Sequence, residues 1–422
     1  MRGERAGDRI AAEASAGAAE SRPEAPLTSH LSPLTLRSAE FPWTAEAIYL
    51  NAAGIGPLPE RSRRAVEEFA ALRAAPHRLS DKMLYATLAE SRRLAAALIN
   101  AEPGEIALAT NTSYGLNLAA RSLPLEPGDI VLLSDREFPA NVYPWLALRD
   151  RGIEVEIAPV TAEGWPDEAY LLQRVAHPRV RVLAVSLTQF HNGYTVDLGG
   201  LSRVTRMTDT LLVVDAIQAL GQIPVDVRAT PVDVLACGAQ KWLLSPWGSG
   251  FVYVRRELIP ALPPADVGWL AYEGTDDFTR LTAYDTTLRA DARRYELVTL
   301  PFQDFAGMNA SLGLLLEVGI EAIQAYLRAV TRPVLTWAAG AGVRLTSPVG
   351  AHGSAIVCIQ LPDAARAQRA LKAAGITATV REGAIRLSPH LYNTPAELER
   401  VAEVLGQSGA SGGDRTAQKL NW

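Results

Sequence analysis

A lysine and an aspartate follow two short apolar segments of the chain. Asp215 ends the run Leu-Leu-Val-Val-Asp, and Lys241, 26 residues later, closes the segment Val-Leu-Ala-Cys-Gly-Ala-Gln-Lys. Such apolar runs are typical of buried parallel strands. Open α/β sheets bind ligands at the carboxyl ends of their strands. The spacing therefore predicts that this amine and this carboxyl group meet in one ligand site.

The pair has the chemistry that pyridoxal phosphate (PLP) requires. A desolvated lysine stays reactive enough to form a Schiff base with an aldehyde. A carboxylate opposite the pyridine nitrogen keeps that nitrogen protonated, so that the ring accepts electrons. Plainer interpretations exist, because Asp215 can be a helix N-cap with Gln218 completing a capping box. Lys241 can be an exposed loop lysine, although the apolar residues 242–244 that follow it make exposure less favourable.

Composition restricts the class of protein. The 422 residues are 48% hydrophobic and 21% charged, which suits a globular protein of two domains. The net charge of −5, without a basic block, argues against a nucleic-acid partner. No apolar run approaches the roughly 20 residues of a membrane span, and no secretory signal is evident, so a cytosolic enzyme is expected. Cys237 and Cys358 lie in apolar runs as core thiols, and the scattered histidines predict no metal site.

Strand-like and helical segments alternate through the middle of the chain. This alternation predicts an α/β fold whose large domain has a mainly parallel sheet with helices on both faces. A shorter pattern near the C-terminus predicts a small α+β domain. We divide the chain into a disordered N-terminal extension (1–38), a large cofactor-binding domain (39–330) whose N-terminal segment contributes to the small domain, the small domain (331–405) and a flexible tail (406–422).

Further polar and aromatic residues follow other predicted strands. Thr112 and Ser113 begin an amphipathic helix, where hydroxyl and backbone N–H groups suit a phosphate, although a plain N-cap explains them too. Phe138 can stack on a planar ring or serve as a core aromatic. His191 and Asn192 can contact a cofactor oxygen or the substrate, or can belong to an ordinary surface loop.

Together and in this order, these segments resemble the class V aminotransferase and cysteine desulfurase group of fold-type I PLP-dependent enzymes. The resemblance covers roughly residues 45–405. Its most specific motifs are Val-Val-Asp-Ala-Ile-Gln-Ala-Leu-Gly around Asp215, the segment Val-Asp-Val-Leu-Ala-Cys-Gly-Ala-Gln-Lys-Trp that contains Lys241, and Gly-Ser-Gly-Phe-Val-Tyr-Val after it. Two flanking segments, 49–57 and 385–394, match the family's N-terminal substrate loop and its substrate-carboxylate segment.

The resemblance implies a role for each candidate residue. Lys241 is expected to form the Schiff base and Asp215 to bind the pyridinium nitrogen. Other cofactor contacts are implied for Thr112 and Ser113 (phosphate), Gln218 (phenolic oxygen), Phe138 (ring stacking), Gln240 and Thr299. Arg386 is expected to bind the substrate carboxylate with its guanidinium fork, and Asn51, His191 and Asn192 to lie near the substrate. Relatives share the active site across a dimer, which implies a homodimer.

Three positions depart from the family pattern. Phe138 replaces a ring-stacking histidine, and a phenyl ring stacks as well but transfers no proton. Gln240 replaces a histidine before the lysine and can still donate a hydrogen bond. Gly238 replaces a serine phosphate ligand and offers only its N–H group. The phosphate is therefore expected to rely more on backbone groups or on a neighbouring subunit, near Thr299.

The reaction is narrowed by a missing cysteine. Desulfurases need a nucleophilic cysteine on a loop before the segment that contains Arg386, and the matching stretch 379–384 has none. The expected activity is a PLP-dependent reaction of an amino acid. An aminotransferase is the favoured interpretation, and a lyase or an epimerase of the same family is the alternative. An alternative of another class is a non-catalytic sensor or scaffold with this fold. A nucleotide-binding domain is not supported, because no Gly-x-Gly-x-x-Gly motif occurs.

Overall fold

The strands and helices come from a computed structural model, which describes residues 33–407. The helices are α1 (Pro33–Glu40), α2 (Glu60–Ala74), α3 (Asp81–Leu98), α4 (Thr112–Ser122), α5 (Tyr143–Leu146), α6 (Glu168–Val175), α7 (Leu198–Met207), α8 (Phe302–Val318), α9 (Ile320–Gly340), α10 (Ala364–Ala373) and α11 (Pro395–Gln407). The strands are β1 (Ile48–Tyr49), β2 (Ile106–Leu108), β3 (Ile130–Ser134), β4 (Glu154–Ala158), β5 (Val180–Ser186), β6 (Leu211–Asp215), β7 (Val234–Gly238), β8 (Gly250–Val254), β9 (Val357–Gln360), β10 (Ile376–Thr377), β11 (Thr379–Arg381) and β12 (Ala384–Leu387).

A seven-stranded sheet forms the centre of the large part of the molecule. Its strand order is β2-β8-β7-β6-β5-β3-β4, and the neighbouring strands from β7 to β4 are parallel. Strand β8 is antiparallel to both β7 and β2. In β6, Leu212 and Val214 pack into the core on one face and Val213 into the core on the other. Because both faces are covered, the apolar residues run without interruption, which confirms the α/β prediction.

A smaller layer is built from the C-terminal third of the described chain. Strands β11, β12 and β9 form an antiparallel sheet, and β1 pairs in parallel with β10, so the N-terminal segment joins this layer. Helix α9 runs through the predicted domain boundary at 330/331. Its residues Ile323 and Leu327 pack into the large core, whereas Val330 and Val334 pack into the small one. The division of the chain into domains stays a prediction.

The predicted termini need correction at their inner ends. Residues 33–38, assigned to a disordered extension, belong to α1, where Arg37 donates a hydrogen bond of 2.5 Å to the Glu397 carboxylate. At the other end, residues 406 and 407 of the predicted tail close α11. The remainder of both predictions, residues 1–32 and 408–422, lies outside the described residues. Within the described range no single helix could cross a membrane; α8 and α9 have the length and composition only as a pair bent by 77°.

Candidate active site

The sheet brings Asp215 and Lys241 to the same edge. Asp215 is the last residue of β6 and pairs with Ala236 of the neighbouring strand β7. That strand ends at Gly238, so Lys241 lies in the turn three residues beyond it rather than at the strand end that the sequence predicted. The turn keeps the amine at the carboxyl edge, and the charges of Asp215 and Lys241 act on each other.

Burial shifts the ionisation of both groups toward the neutral form. It raises the pKa of Asp215 to about 6; the charge of Lys241 and the Ile217 N–H group, which donates to Oδ1 over 3.0 Å, oppose the rise. Burial lowers the pKa of Lys241 to about 8, and the attraction of Asp215 only partly offsets this. A buried amine with a lowered pKa is a nucleophile near neutral pH, as covalent attachment to an aldehyde requires.

Lys241 differs from the other described lysines in its position. The whole chain contains four lysines. Three of them lie in the described residues. Lys82 and Lys372 are exposed on helices, whereas Lys241 lies in the turn at the carboxyl ends of the parallel strands. This position agrees with the expectation that Lys241 is the anchoring amine and disfavours the plain loop-lysine interpretation.

Phe138 presents an open aromatic face to this amine. The Lys241 Nζ atom lies 5.5 Å from the centroid of the Phe138 ring. The ring packs edge-on against Phe190 at a centroid distance of 5.2 Å, which fixes its orientation. Because Phe138 is 42% exposed, its ring is not a core aromatic and is free to cover a planar ligand.

A tight turn surrounds the start of helix α4. The Gly238 N–H group donates to the Thr112 hydroxyl oxygen over 2.8 Å. A Cβ atom on Gly238 would lie 2.6 Å from Gln240 Oε1 and 3.2 Å from the Thr112 nitrogen, so the Gln240 side chain occupies the place that a side chain at position 238 would need. Ser113 is the next residue of α4 and is exposed. Hydroxyl and amide donors at a helix N-terminus fit a phosphate group.

Gln218 connects two segments around the site. Its Nε2 group donates to the Ala53 carbonyl over 3.0 Å, and its Oε1 atom accepts from Trp242 Nε1 over 2.8 Å. Residues 217–220 form turns, so the capping box that would make Asp215 an ordinary N-cap does not form. One N–H of the Gln218 amide is not used in these bonds and can bind a cofactor oxygen.

Arg386 is a buried cation without an acidic partner among residues 33–407. It is 1% exposed; Nη1 donates to the Phe190 carbonyl over 2.8 Å, and Nη2 reaches Asn51 Oδ1 only at 3.4 Å. Its Nε group has no hydrogen-bond partner. Burial lowers the pKa of Arg386 to about 10. A buried guanidinium of this kind is stabilised by an incoming carboxylate.

The remaining candidates are Asn192, His191 and Thr299. Asn192 links two loops, because its amide donates to the Gly164 carbonyl (3.1 Å) and accepts from the N–H group of Tyr194 in its own loop (2.9 Å). His191 is buried, which lowers its pKa. Thr299 is exposed. The substrate role of the first two and the cross-subunit role of Thr299 stay predictions.

Comparison with known proteins gives the family. Residues 48–401 match the family model described as "Aminotransferase class-V". The chain belongs to the class V aminotransferase family. An uncharacterized aminotransferase of Bacillus subtilis is 31% identical over 73% of this chain and 80% of its own length. The isopenicillin N epimerase of Amycolatopsis lactamdurans is 30% identical over 84% of this chain and 94% of its own length.

The solved structures agree on the fold. A cysteine desulfurase from Thermococcus onnurineus superposes with a TM-score of 0.80 at 21% identity, covering 90% of this chain and 98% of that one. The predicted fold-type I architecture is thus confirmed, and pyridoxal phosphate is the cofactor of this class V chain. The residues of the site fit this cofactor, because the Lys241 amine, the Asp215 carboxyl group and the hydrogen-bond donors at the start of α4 lie together at the carboxyl ends of the strands.

The sequence did not predict a role for one buried acid next to the site, Glu137. Glu137, directly before Phe138, accepts hydrogen bonds from Ser186 N–H (2.9 Å), the Ser186 hydroxyl, Gln189 Nε2 (2.8 Å) and Asn141 Nδ2 (3.1 Å). Burial raises its pKa, and its charge adds to the rise in the pKa of Asp215, whose strand partner is Ser186. An acid shortly after a predicted strand, one residue before a predicted cofactor contact, was the available signal.

A second missed feature is a glycine. The Gly56 N–H group donates to the Gln240 carbonyl over 2.8 Å, and a Cβ atom on Gly56 would lie 1.9 Å from the Lys241 carbonyl oxygen. The N-terminal loop therefore packs on the lysine turn backbone to backbone, which only glycine permits. The Gly-Ile-Gly pattern of residues 54–56 was the signal for this contact.

Both cysteines are unsuited to nucleophilic chemistry. Burial raises the pKa of Cys358 to about 12, and its thiol donates to the His191 carbonyl over 3.1 Å. Cys237 is buried in β7, which also raises its pKa. These positions agree with the expectation that both are inert core thiols.

Proposed function

We propose that the protein is a PLP-dependent aminotransferase that acts on an amino acid, with Lys241 as the amine that carries the cofactor. The observation that carries the proposal is the pairing of this buried, easily deprotonated amine with the buried Asp215 carboxylate at one sheet edge. Bound pyridoxal phosphate supplies an electron sink that makes the α-proton of an amino acid acidic.

Each side chain has a separate task in this proposal. With the cofactor bound, the Lys241 amine would take the α-proton of the amino acid, because burial has lowered its pKa to about 8. Asp215 would keep a proton on the ring nitrogen, Gln218 would donate to the phenolic oxygen, and Thr112 and Ser113 would hold the phosphate. Arg386 fixes the α-carboxylate and thereby orients the α-carbon toward the lysine.

Transamination is favoured over epimerisation by the identity of residue 138. An epimerase must return a proton to the opposite face of the α-carbon, and that needs an acid other than the one that removed it. The ring beside Lys241 is Phe138, which carries no transferable proton. The 30% identity to an isopenicillin N epimerase keeps an epimerase, with a lyase, as the alternative within the family. A desulfurase is disfavoured, because residues 379–384 contain no cysteine.

Product analysis tests the proposal. The holoenzyme is incubated with a panel of L-amino acids, and the products are identified by mass spectrometry and chiral chromatography. A keto acid is expected; an inverted amino acid or an eliminated side-chain fragment would replace transamination by the epimerase or lyase alternative. Lys241→Ala should lose both the product and the visible absorbance of the bound cofactor, whereas Lys82→Ala, an exposed-lysine control, should keep them. Retention of both in Lys241→Ala would contradict the assignment.

We further propose that the enzyme is a cytosolic homodimer whose active site is completed by the exposed Thr299 of a second copy. Sedimentation of the holoenzyme is expected to give twice the mass of one 45.3 kDa chain. A monomer with full activity would contradict the shared site.

A further inference from the structure

We propose that the β11–β12 hairpin forms a second anion subsite, at which Arg381 binds a carboxylate on the substrate side chain. The inference rests on the proposed function and adds the substrate class, an acidic amino acid. By the family resemblance, residues 379–384 of this hairpin match the stretch that carries a cysteine in desulfurases, and here the stretch contains Arg381 and no cysteine.

The strand register places Arg381 on the same face as Arg386. Thr379 of β11 lies directly opposite Arg386 of β12, and Arg381 lies opposite Ala384. Directly opposite residues share a face of a sheet, and so do residues two apart in one strand. The four side chains therefore project from one face of the hairpin.

That face is turned toward the active site. Arg386 Nη1 donates to the Phe190 carbonyl over 2.8 Å. Cys358 of β9, which lies opposite Arg386 in the ladder, donates from Sγ to the His191 carbonyl over 3.1 Å. The hairpin face thus covers the loop that follows β5, next to the ring of Phe138.

Two buried donors on this face are unused by the protein. The Arg386 Nε group and the Thr379 hydroxyl each have no hydrogen-bond partner within the described part of the chain. A buried donor without a partner costs about 1–3 kcal/mol. An anion bound between them would satisfy both, so the surroundings of Arg386 are built to take negatively charged groups.

Neither guanidinium group is neutralised by an ion pair in the described part of the chain. Besides burial, which is the main cause, the charge of Arg381 lowers the pKa of both Lys241 and Arg386. Among residues 33–407, no carboxylate forms an ion pair with Arg381 or Arg386. Glu382, the acid next in sequence, is exposed and pairs with neither. Asp215 is assigned to the ring nitrogen, so both guanidinium groups remain available to carboxylates of a substrate.

The two arginines lie at different depths. Arg386 is fully buried, whereas Arg381 is exposed at the end of its strand. Two residues along a strand correspond to about 7 Å. A substrate whose α-carboxylate binds Arg386 therefore meets Arg381 with a carboxylate further along its side chain, at glutamate length or longer.

Paired ligands of equal length test this subsite. The holoenzyme is titrated with L-glutamate and with L-glutamine, and binding is followed by the absorbance of the bound cofactor. Glutamate is expected to bind about 2–5-fold more tightly, as an accessible ion pair allows. The preference should shrink at high ionic strength. In Arg381→Gln the ratio of the two affinities should fall to near one, and Arg381→Lys should restore part of it. Arg369→Gln, an exposed arginine of α10, should leave the ratio unchanged.

Three outcomes would overturn the inference. Equal binding of the two ligands by the unmodified enzyme, or a glutamate preference that survives in Arg381→Gln, would remove the subsite while leaving the proposed function intact. An enzyme whose absorbance responds to no amino acid at all would refute the proposed function and the subsite with it.

Discussion

Replacing Asp215 with asparagine tests whether this carboxylate is buried for the cofactor rather than for the fold. Asp215 is 2% exposed, and burial raises its pKa from the ordinary 3.8 to about 6, with the charge of Glu137 adding to the rise. The folded protein therefore binds this proton more tightly than the unfolded chain does. The stability that the carboxyl group contributes is complete below about pH 4 and is lost as the pH rises through about 6.

The size of the effect follows from the shift. At 1.36 kcal/mol for each pKa unit, the rise from 3.8 to about 6 corresponds to about 3 kcal/mol. Asparagine keeps an oxygen for the Ile217 N–H group and removes the charge. We therefore expect the Asp215→Asn apoprotein to be more stable than the unmodified apoprotein at pH 7.5 by up to about 3 kcal/mol. At roughly 2.1 cal/mol/K per residue, this raises Tm by about 3 °C for a chain of this size.

Thermal unfolding of the two apoproteins at pH 5 and pH 7.5 measures this, together with their affinity for pyridoxal phosphate. The stability gain should be larger at pH 7.5 than at pH 5, while cofactor affinity falls because the ring nitrogen loses its anionic partner. Asp226→Asn is the control: the pKa of Asp226 is lowered, chiefly by the hydrogen bond from the Ala229 N–H group, so its loss should not stabilise. An Asp215→Asn apoprotein that is less stable by the same amount at both pH values would refute the reasoning.

Three further predictions follow from the site. Arg386→Ala should weaken amino-acid binding by about 1.5–3 kcal/mol, the range for a charge-assisted hydrogen bond, in a spectroscopic titration; unchanged affinity would remove Arg386 from the site. Gly56→Ala should impair cofactor binding, because the new Cβ would lie 1.9 Å from the Lys241 carbonyl oxygen. The control Gly313→Ala, with open space around its Cβ, should bind the cofactor normally. Equal cofactor affinity of the two variants would show that the N-terminal loop moves without cost to the site. The rate of cofactor capture by the apoprotein should rise with pH and level off above about 8, where Lys241 is deprotonated; a rate independent of pH from 6 to 10 would contradict the lowered pKa.

The central pairing was predictable because it depends on local patterns. The apolar runs before Asp215 and Lys241 are long enough for strands and short for helices, and their alternation with helical segments leaves a parallel sheet as the fold. Order along the chain then places both residues at one edge. The prediction put Lys241 at the strand end, whereas β7 ends three residues earlier at Gly238, so Lys241 lies in the turn beyond the strand. The turn still faces the same edge, so the chemistry is unaffected.

The remaining features depend on contacts between distant segments, which periodicity does not encode. Gly56 meets the Lys241 turn across 185 residues of sequence. Gln218 was expected to cap a helix locally or to bind the cofactor, yet it also bonds to Ala53 and Trp242. Arg381 acquires its position beside Arg386 only through the register of the hairpin, because a shift by one residue would turn its side chain to the opposite face.

Chemical fixation of the cofactor tests the central claim most directly. The holoenzyme is treated with sodium borohydride, which fixes the cofactor to the amine that carries it, and is then digested for peptide mass spectrometry. The chain has only four lysines, so the assignment is unambiguous. The added mass should appear on the peptide that contains Lys241. Its appearance on Lys82, Lys372 or Lys419, with Lys241 unmodified, would contradict the account.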